Sequence, residues 1–418
     1  MKLLSKISAS TALLSLLIAQ MSQGAFAKAS DEDKKITFQK FFKDGVSDDA
    51  KFDAIIEYPI SASHATILRE YSDSDSVMLP SEGCSSVSFK GIMNSLKKFE
   101  LDGKPLFPPT FPGEDGYWEE LRKVAFAVGQ LKKFEDAPDR ESIKDPLPNV
   151  MPRITHLWNG KFDIIDVAKA VQAEFPGVYH RQLITEWLDA DSLKRNSTLF
   201  QTPNPNMDFL RFQIMLSDLT GHAIRLVGPC DFSLKWHVGR PRPEEIIYKI
   251  QEGMLQLPNN FAKMKVFQDL GKKHLKSPTE FTAYEGEGSP NHPSYPAMHS
   301  ASSSGSFWLD VTMNLTDEQR CEARMLDWSI SYGRTVAGVH YESDNIAGLM
   351  VGQEILAQKL PQYLHDEYGA DFDAVKDVVD ARRFDWTNFT TSKCWTQSQY
   401  KKFRTVSKGE TVKGHDEL

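Results

Sequence analysis

Apolar residues at Phe209, Phe212, Leu216, Leu219, Ala223 and Leu226 recur three and four positions apart, the period of one face of a long amphipathic helix. Farther along, Thr316 followed by Gln319 forms a capping box, which predicts a helix running through Trp328 toward Gly338. A third helical pattern, "DNIAGLMVGQEILAQKL", is expected to begin at Asp344 as N-cap and to stop before Pro361. Alternating runs of β-branched residues are scarce, so the architecture reads as mainly α, a helical bundle.

The pattern divides the chain into regions. Residues 28–205 mix short amphipathic stretches with proline- and glycine-rich loops such as "KPLFPPTFPGEDG", and carry no repeat and no chemical motif. Their expected role is to wrap the core and shape an entrance. Residues 206–370 hold the strongest helical signals and are the expected catalytic part. Residues 371–418 read as a peripheral tail.

Composition narrows the class of protein. A formal charge of -8 with 25% charged residues is ordinary for a globular chain of 418 residues and argues against a nucleic-acid partner, which favours a basic face. At the N-terminus, Lys2 and Lys6 precede an apolar run from Ala9 to Ile18 and the small-residue site Ala25-Phe26-Ala27. That is the layout of a secretory signal peptide, residues 1–27, with cleavage expected after Ala27. No later segment offers about 18 uninterrupted apolar residues, so an integral membrane protein is not expected. The C-terminal His415-Asp416-Glu417-Leu418 matches a retrieval signal for the endoplasmic reticulum lumen; a bacterial source would make the protein periplasmic or secreted. Sequons stand at Asn196, Asn314 and Asn388. Cys84, Cys230, Cys321 and Cys394 are too dispersed for a zinc site and allow up to two disulfides in any of three connectivities.

Three segments carry candidate chemistry. In "KWHVGRPRPEE", Lys235, Arg240 and Arg242 lie close together on a proline-stiffened stretch. Alone it reads as a solvated basic turn as readily as a site; Arg240 and His237 are assigned to loop support and Trp236 to a wall of the site. "NHPSYPAMHS" supplies His292 and His299. "GRTVAGVHYESDNIAG" places Arg334 six residues before His340 and Asp344 four after it. Arg334 would lie in the last turns of one helix and His340 just before the next, whose N-terminus favours an anion. Asp344 would then fix the His340 tautomer through the far ring nitrogen. Basic clusters with a positioned His–Asp pair together call for a small, multiply charged tetrahedral oxyanion.

Lys235 with Arg242-Pro243, "YPAMHS" ending in His299, and Arg334 with His340 and Asp344 resemble the three-part pattern shared by type 2 phosphatidic acid phosphatases, bacterial acid phosphatases and vanadium-dependent haloperoxidases. The resemblance spans roughly residues 207–362 and implies the helical-bundle fold of that superfamily. "HPSYP" headed by His292, and "GRTVAGVHYESDNIAGL", resemble the bromoperoxidase branch, where a histidine at that position lies near the halide. A haloperoxidase reading implies vanadate as cofactor, with His340 as axial ligand of vanadium. Lys235, Arg242, Arg334 and the Met298 backbone N–H would hold its oxygens, and His299 would be the acid–base group. Hydrogen peroxide, a halide (bromide or iodide) and a small organic acceptor would be its partners, and homo-oligomers are frequent in that family. The alternative is a soluble acid phosphatase in which His340 forms a phosphohistidine and His299 protonates the leaving oxygen. A third reading is a non-catalytic oxyanion-binding protein.

The superfamily pattern Pro-Ser-Gly-His is here Pro296-Ala297-Met298-His299. Ala297 removes a hydroxyl donor, costing about 1.5–3 kcal/mol where a charged hydrogen bond is lost. Met298 adds an oxidisable thioether. Ser294 and Ser300 are the candidates to replace the missing hydroxyl.

Overall fold

The computed structural model describes residues 88–135, 223, 226–272, 274–282 and 292–395. The signal-peptide segment, Cys84, Asn196, most of the amphipathic stretch from Phe209 and the terminal HDEL fall outside these residues. Among the described residues the chain is mainly helical, and its one small sheet is a hairpin.

Helix α1 (Phe89–Leu96) is capped by the Ser88 hydroxyl, which accepts from the Gly91 N–H. The hairpin pairs β1 (Glu100–Leu101) antiparallel with β2 (Lys104–Pro105). Asp102 and Gly103, both at positive φ, turn it. Helix α2 (Tyr117–Glu135) follows, then α3 (226–238), which Gly239 ends at φ +69. Arg242 is the N-cap of α4 (Pro243–Gln251), with Pro243 at the position where a missing N–H costs nothing. Short helices α5 (Asn259–Ala262) and α6 (Lys265–Gly271) and a 3-10 turn (Pro278–Phe281) lead to the second loop.

Helices α7 (Met298–Ser302), α8 (Gly305–Thr312), α9 (Asp317–Val336) and α10 (Glu342–Tyr368) form the centre. The Thr316–Gln319 capping box opens α9 in both directions, as the sequence predicts. Helix α10 departs from expectation at both ends. Its N-cap is Tyr341, and Asp344 sits one turn in, reaching back to the Tyr341 N–H at 3.0 Å. It also runs through Pro361 to Gly369, whose left-handed φ of +63 closes it. Leu356, Leu360 and Leu364 on either side of Pro361 are buried, so continuing the helix keeps an apolar face on the core; this outweighs the lost hydrogen bond.

Helix α7 lies directly on α10 because α10 has no side chains where they meet. A Cβ on Gly348 would fall 2.8 Å from Ser300 Cβ and against the Ala297 carbonyl; one on Gly352 would fall against the Ala301 carbonyl. The described part of the segment beyond residue 370 is not loosely attached. Helix α11 (Phe372–Arg382) buries Val375 and Val379. The 3-10 helix Trp386–Thr391 buries Trp386 and Phe389, with Phe389 stacked on Trp328 at 5.1 Å. Cys394 forms a disulfide with Cys321 of α9, and Cys230 is disulfide-bonded too.

Candidate oxyanion site

Four elements bring the basic residues together. Lys235 comes from α3, Arg242 from the N-cap of α4, Arg334 from the last turn of α9, and His340 from the loop before α10. All four side chains are at most 2% exposed. The loop joining α9 to α10 is set by Gly338, at φ +82, where a Cβ would lie 3.0 Å from Val128 Cγ2. That tight turn returns the chain so that Val339 N–H donates to the Arg334 carbonyl at 3.2 Å, one residue before His340.

His340 Nδ1 lies 3.3 Å from Asp344 Oδ2. Burial, then the charges of Arg242, Lys235 and Arg334, hold its pKa well below the usual imidazole value. The ring is therefore neutral near pH 7, and those three cations all act on it. Asp344 is itself buried; its carboxyl is pushed above the ordinary carboxylate value by burial, against the opposing effects of Arg240 and the Tyr341 N–H.

Arg242 ties the loops to each other. Its Nη1 donates to the Val339 carbonyl at 3.0 Å and its Nε to the His292 carbonyl at 2.8 Å. Its Nη2 is 3.1 Å from His292 Nδ1. His292 packs edge-on against Phe232, with centroids 4.9 Å apart, and burial and the neighbouring cations keep it neutral as well. The charge of His299 also acts on His292, which brings the second loop's two histidines to the same region.

Lys235 is held differently. Its ammonium donates to the carbonyls of Pro293, Ser294 and Pro296, so it clamps the loop that leads to His299. Asp231, one turn earlier on α3, lies 3.8 Å away and has no hydrogen-bond partner on either oxygen. Burial lowers the Lys235 pKa and raises that of Asp231, each to about 7. The i,i+4 spacing could have flagged Asp231 from sequence.

Both serines offered as substitute hydroxyls donate to other groups of the protein. Ser294 Oγ donates to the Arg240 and Pro241 carbonyls, and Ser300 Oγ donates to Asn345, whose amide donates to Thr335 of α9. Ala297 is buried and its N–H donates to the Asp344 carbonyl. Met298 is the first residue of α7; its backbone N–H is among those a helix start leaves open, and its Sδ accepts from Ser302 Oγ at 3.6 Å.

Trp236, expected as a wall of the site, is 45% exposed. Arg240, read as loop support, is fully buried and ion-paired to Asp344 at 2.7 Å and to Glu120 at 3.3 Å. Glu120 is far away in sequence and had no signal.

Among the described residues no group of three or more His, Cys, Asp or Glu side chains could hold a metal cation. Buried cations around one neutral imidazole suit a tetrahedral oxyanion instead. In agreement, residues 214–357 match the family model of the PAP2 superfamily. That span contains every site residue named in the sequence analysis, whereas Glu120 lies outside it. The superfamily supports phosphatase or haloperoxidase activity in general. No curated protein matches the chain.

Proposed function

We propose that the site holds orthovanadate and that the protein is a vanadium-dependent haloperoxidase, oxidising bromide or iodide with hydrogen peroxide. The observation that carries this reading is the second neutral imidazole, His292, hydrogen-bonded to Arg242 beside the oxyanion site. Phosphoryl transfer needs a nucleophile and one acid–base group; a further uncharged ring of this kind suits a halide approaching the anion.

Bound vanadate would supply a Lewis acid that activates hydrogen peroxide toward halide. The chain's residues do the rest. His340, neutral and with Nδ1 directed to Asp344, would offer the lone pair of Nε2 to the vanadium. Arg242, Arg334 and Lys235, all buried, would neutralise the charge on its oxygens. The Met298 N–H would be a backbone donor to the anion, and His299, one residue into α7, would hold or release a proton beside it.

A second reading, an acid phosphatase, is favoured by the same neutral His340 backed by Asp344, which is the arrangement of a nucleophilic imidazole. The deciding experiment strips the protein, adds orthovanadate and follows bromide and iodide oxidation, with p-nitrophenyl phosphate hydrolysis measured in the vanadate-free sample. Vanadate-dependent halide oxidation that phosphate suppresses supports the peroxidase. Hydrolysis without halide oxidation makes the protein a phosphatase, and vanadate binding with neither reaction leaves a binding protein.

The expected compartment is the endoplasmic reticulum lumen, or the periplasm or exterior for a bacterial source. Among the described residues no helix is long and apolar enough to cross a membrane. The Cys321–Cys394 disulfide suits an oxidising lumen.

A further inference from the structure

We infer that Arg240 is a positioning residue for His340, acting through Asp344 and held in place by residues outside the PAP2 span. The inference rests on His340 being the group that faces the oxyanion.

Arg240 Nη1 donates to Asp344 Oδ1 at 2.7 Å and to Ser343 Oγ at 2.8 Å. The other carboxylate oxygen, Oδ2, accepts from the Tyr341 N–H and faces His340 Nδ1. One oxygen is thus pinned by the guanidinium, which leaves the second aimed at the imidazole. The far side of Arg240 is fixed just as closely. Its Nη2 donates to Thr110 Oγ1 at 3.1 Å and to Glu120 Oε1 at 3.3 Å. Its plane lies over the Tyr341 ring at 4.1 Å, and the Tyr341 hydroxyl is 2.6 Å from that of Tyr117. Thr110, Tyr117 and Glu120 precede residue 214, so the ligand set of the core is completed by helix α2 and the loop before it.

The chemical consequence is a choice of tautomer. A carboxylate held at Nδ1 keeps the ring proton there and leaves Nε2 as an electron-pair donor toward the anion. Without Arg240, only the Tyr341 N–H holds Asp344, the buried carboxylate loses its countercharge, and the proton on Nδ1 is held less firmly. The tautomer protonated at Nε2 becomes populated; it presents a proton to the site instead of a lone pair.

The test uses the full chain labelled with 15N-histidine, with the His340 signals assigned through His340→Gln. At neutral pH the wild type is expected to show Nδ1 protonated and Nε2 bare. Arg240→Met is expected to show both tautomers and to bind inorganic phosphate about tenfold more weakly. Arg240→Lys, which keeps a cation beside Asp344, is expected to restore the wild-type pattern. A wild-type pattern in Arg240→Met, or a wild type already protonated on Nε2, overturns the inference. If Arg240→Met does not fold, the charge-balanced Arg240→Met/Asp344→Asn is compared with Asp344→Asn. Equal phosphate affinity in the two supports action through Asp344; a further loss of about tenfold would put Arg240 on the anion itself and overturn it. Absence of halide oxidation in vanadate-loaded wild type would instead strike the peroxidase reading and leave the tautomer result standing.

Discussion

Arg242 Nη2 lies 3.1 Å from His292 Nδ1, and its Nε donates to the carbonyl of that same residue at 2.8 Å. A guanidinium can only donate, so Nδ1 is the acceptor and the ring proton belongs on Nε2. The Pro293 carbonyl is 3.2 Å from Nδ1, but a proton there would point at an Arg242 N–H, and the cation decides the tautomer. His292 is therefore a neutral ring whose one N–H is on Nε2.

From this, His292→Phe should separate reaction from binding. Arg242 keeps its bonds to the two loop carbonyls, so inorganic phosphate should bind within about threefold of wild type. Halide oxidation by the vanadate-loaded protein should fall by about tenfold or more. Steady-state rates with bromide set beside phosphate titration check this; an undiminished rate would remove His292 from the reaction.

His340→Ala should act on binding itself. The lone-pair donor disappears, and the buried cations lose the neutral ring they surround. Orthovanadate and phosphate affinity should fall by about a hundredfold, read by calorimetry on the folded variant. Unchanged affinity would move the anion away from this site.

Much of this was legible in the sequence because the chemistry sits at helix ends, where caps and short spacings leave a mark. Thr316 with Gln319 announces α9, and the interval from Arg334 to His340 is one tight turn. What was hidden depends on tertiary contacts. Pro361 stays inside α10 because its neighbours are buried, which the local proline signal cannot report. Arg240 reads as one more charge on a basic loop until Asp344 and Glu120 close around it. Ser294 and Ser300 look available in sequence, yet the Ser294 hydroxyl braces the first loop and that of Ser300 ties α7 to α10.

Met298 should be the point at which peroxide damages the site. It is partly buried, begins the helix that carries His299, and its sulfur accepts only a weak bond from Ser302. Incubation with excess hydrogen peroxide should add one oxygen to Met298 and lower anion affinity in step. Met298→Leu should keep its affinity under the same treatment. Loss at the same rate in both proteins, measured by peptide mass and phosphate titration, would place the damage elsewhere.

The contact between α7 and α10 sets where His299 stands, and Gly348 makes that contact. A Cβ there would fall 2.8 Å from Ser300 Cβ and press on the Ala297 carbonyl. A carbonyl in a helix-start loop has no rotamer through which to retreat, so α7 must move as a whole. Two consequences follow from the same displacement. Gly348→Ala should destabilise the fold by about 1–3 kcal/mol, despite the higher helix propensity of alanine. It should also slow turnover more than it weakens phosphate binding, because His299 and the Met298 N–H ride on α7, whereas Arg334 and His340 belong to other elements. Denaturant melts read the first effect and the ratio of kcat to phosphate affinity reads the second. A variant as stable as wild type would show that the two helices do not meet this closely.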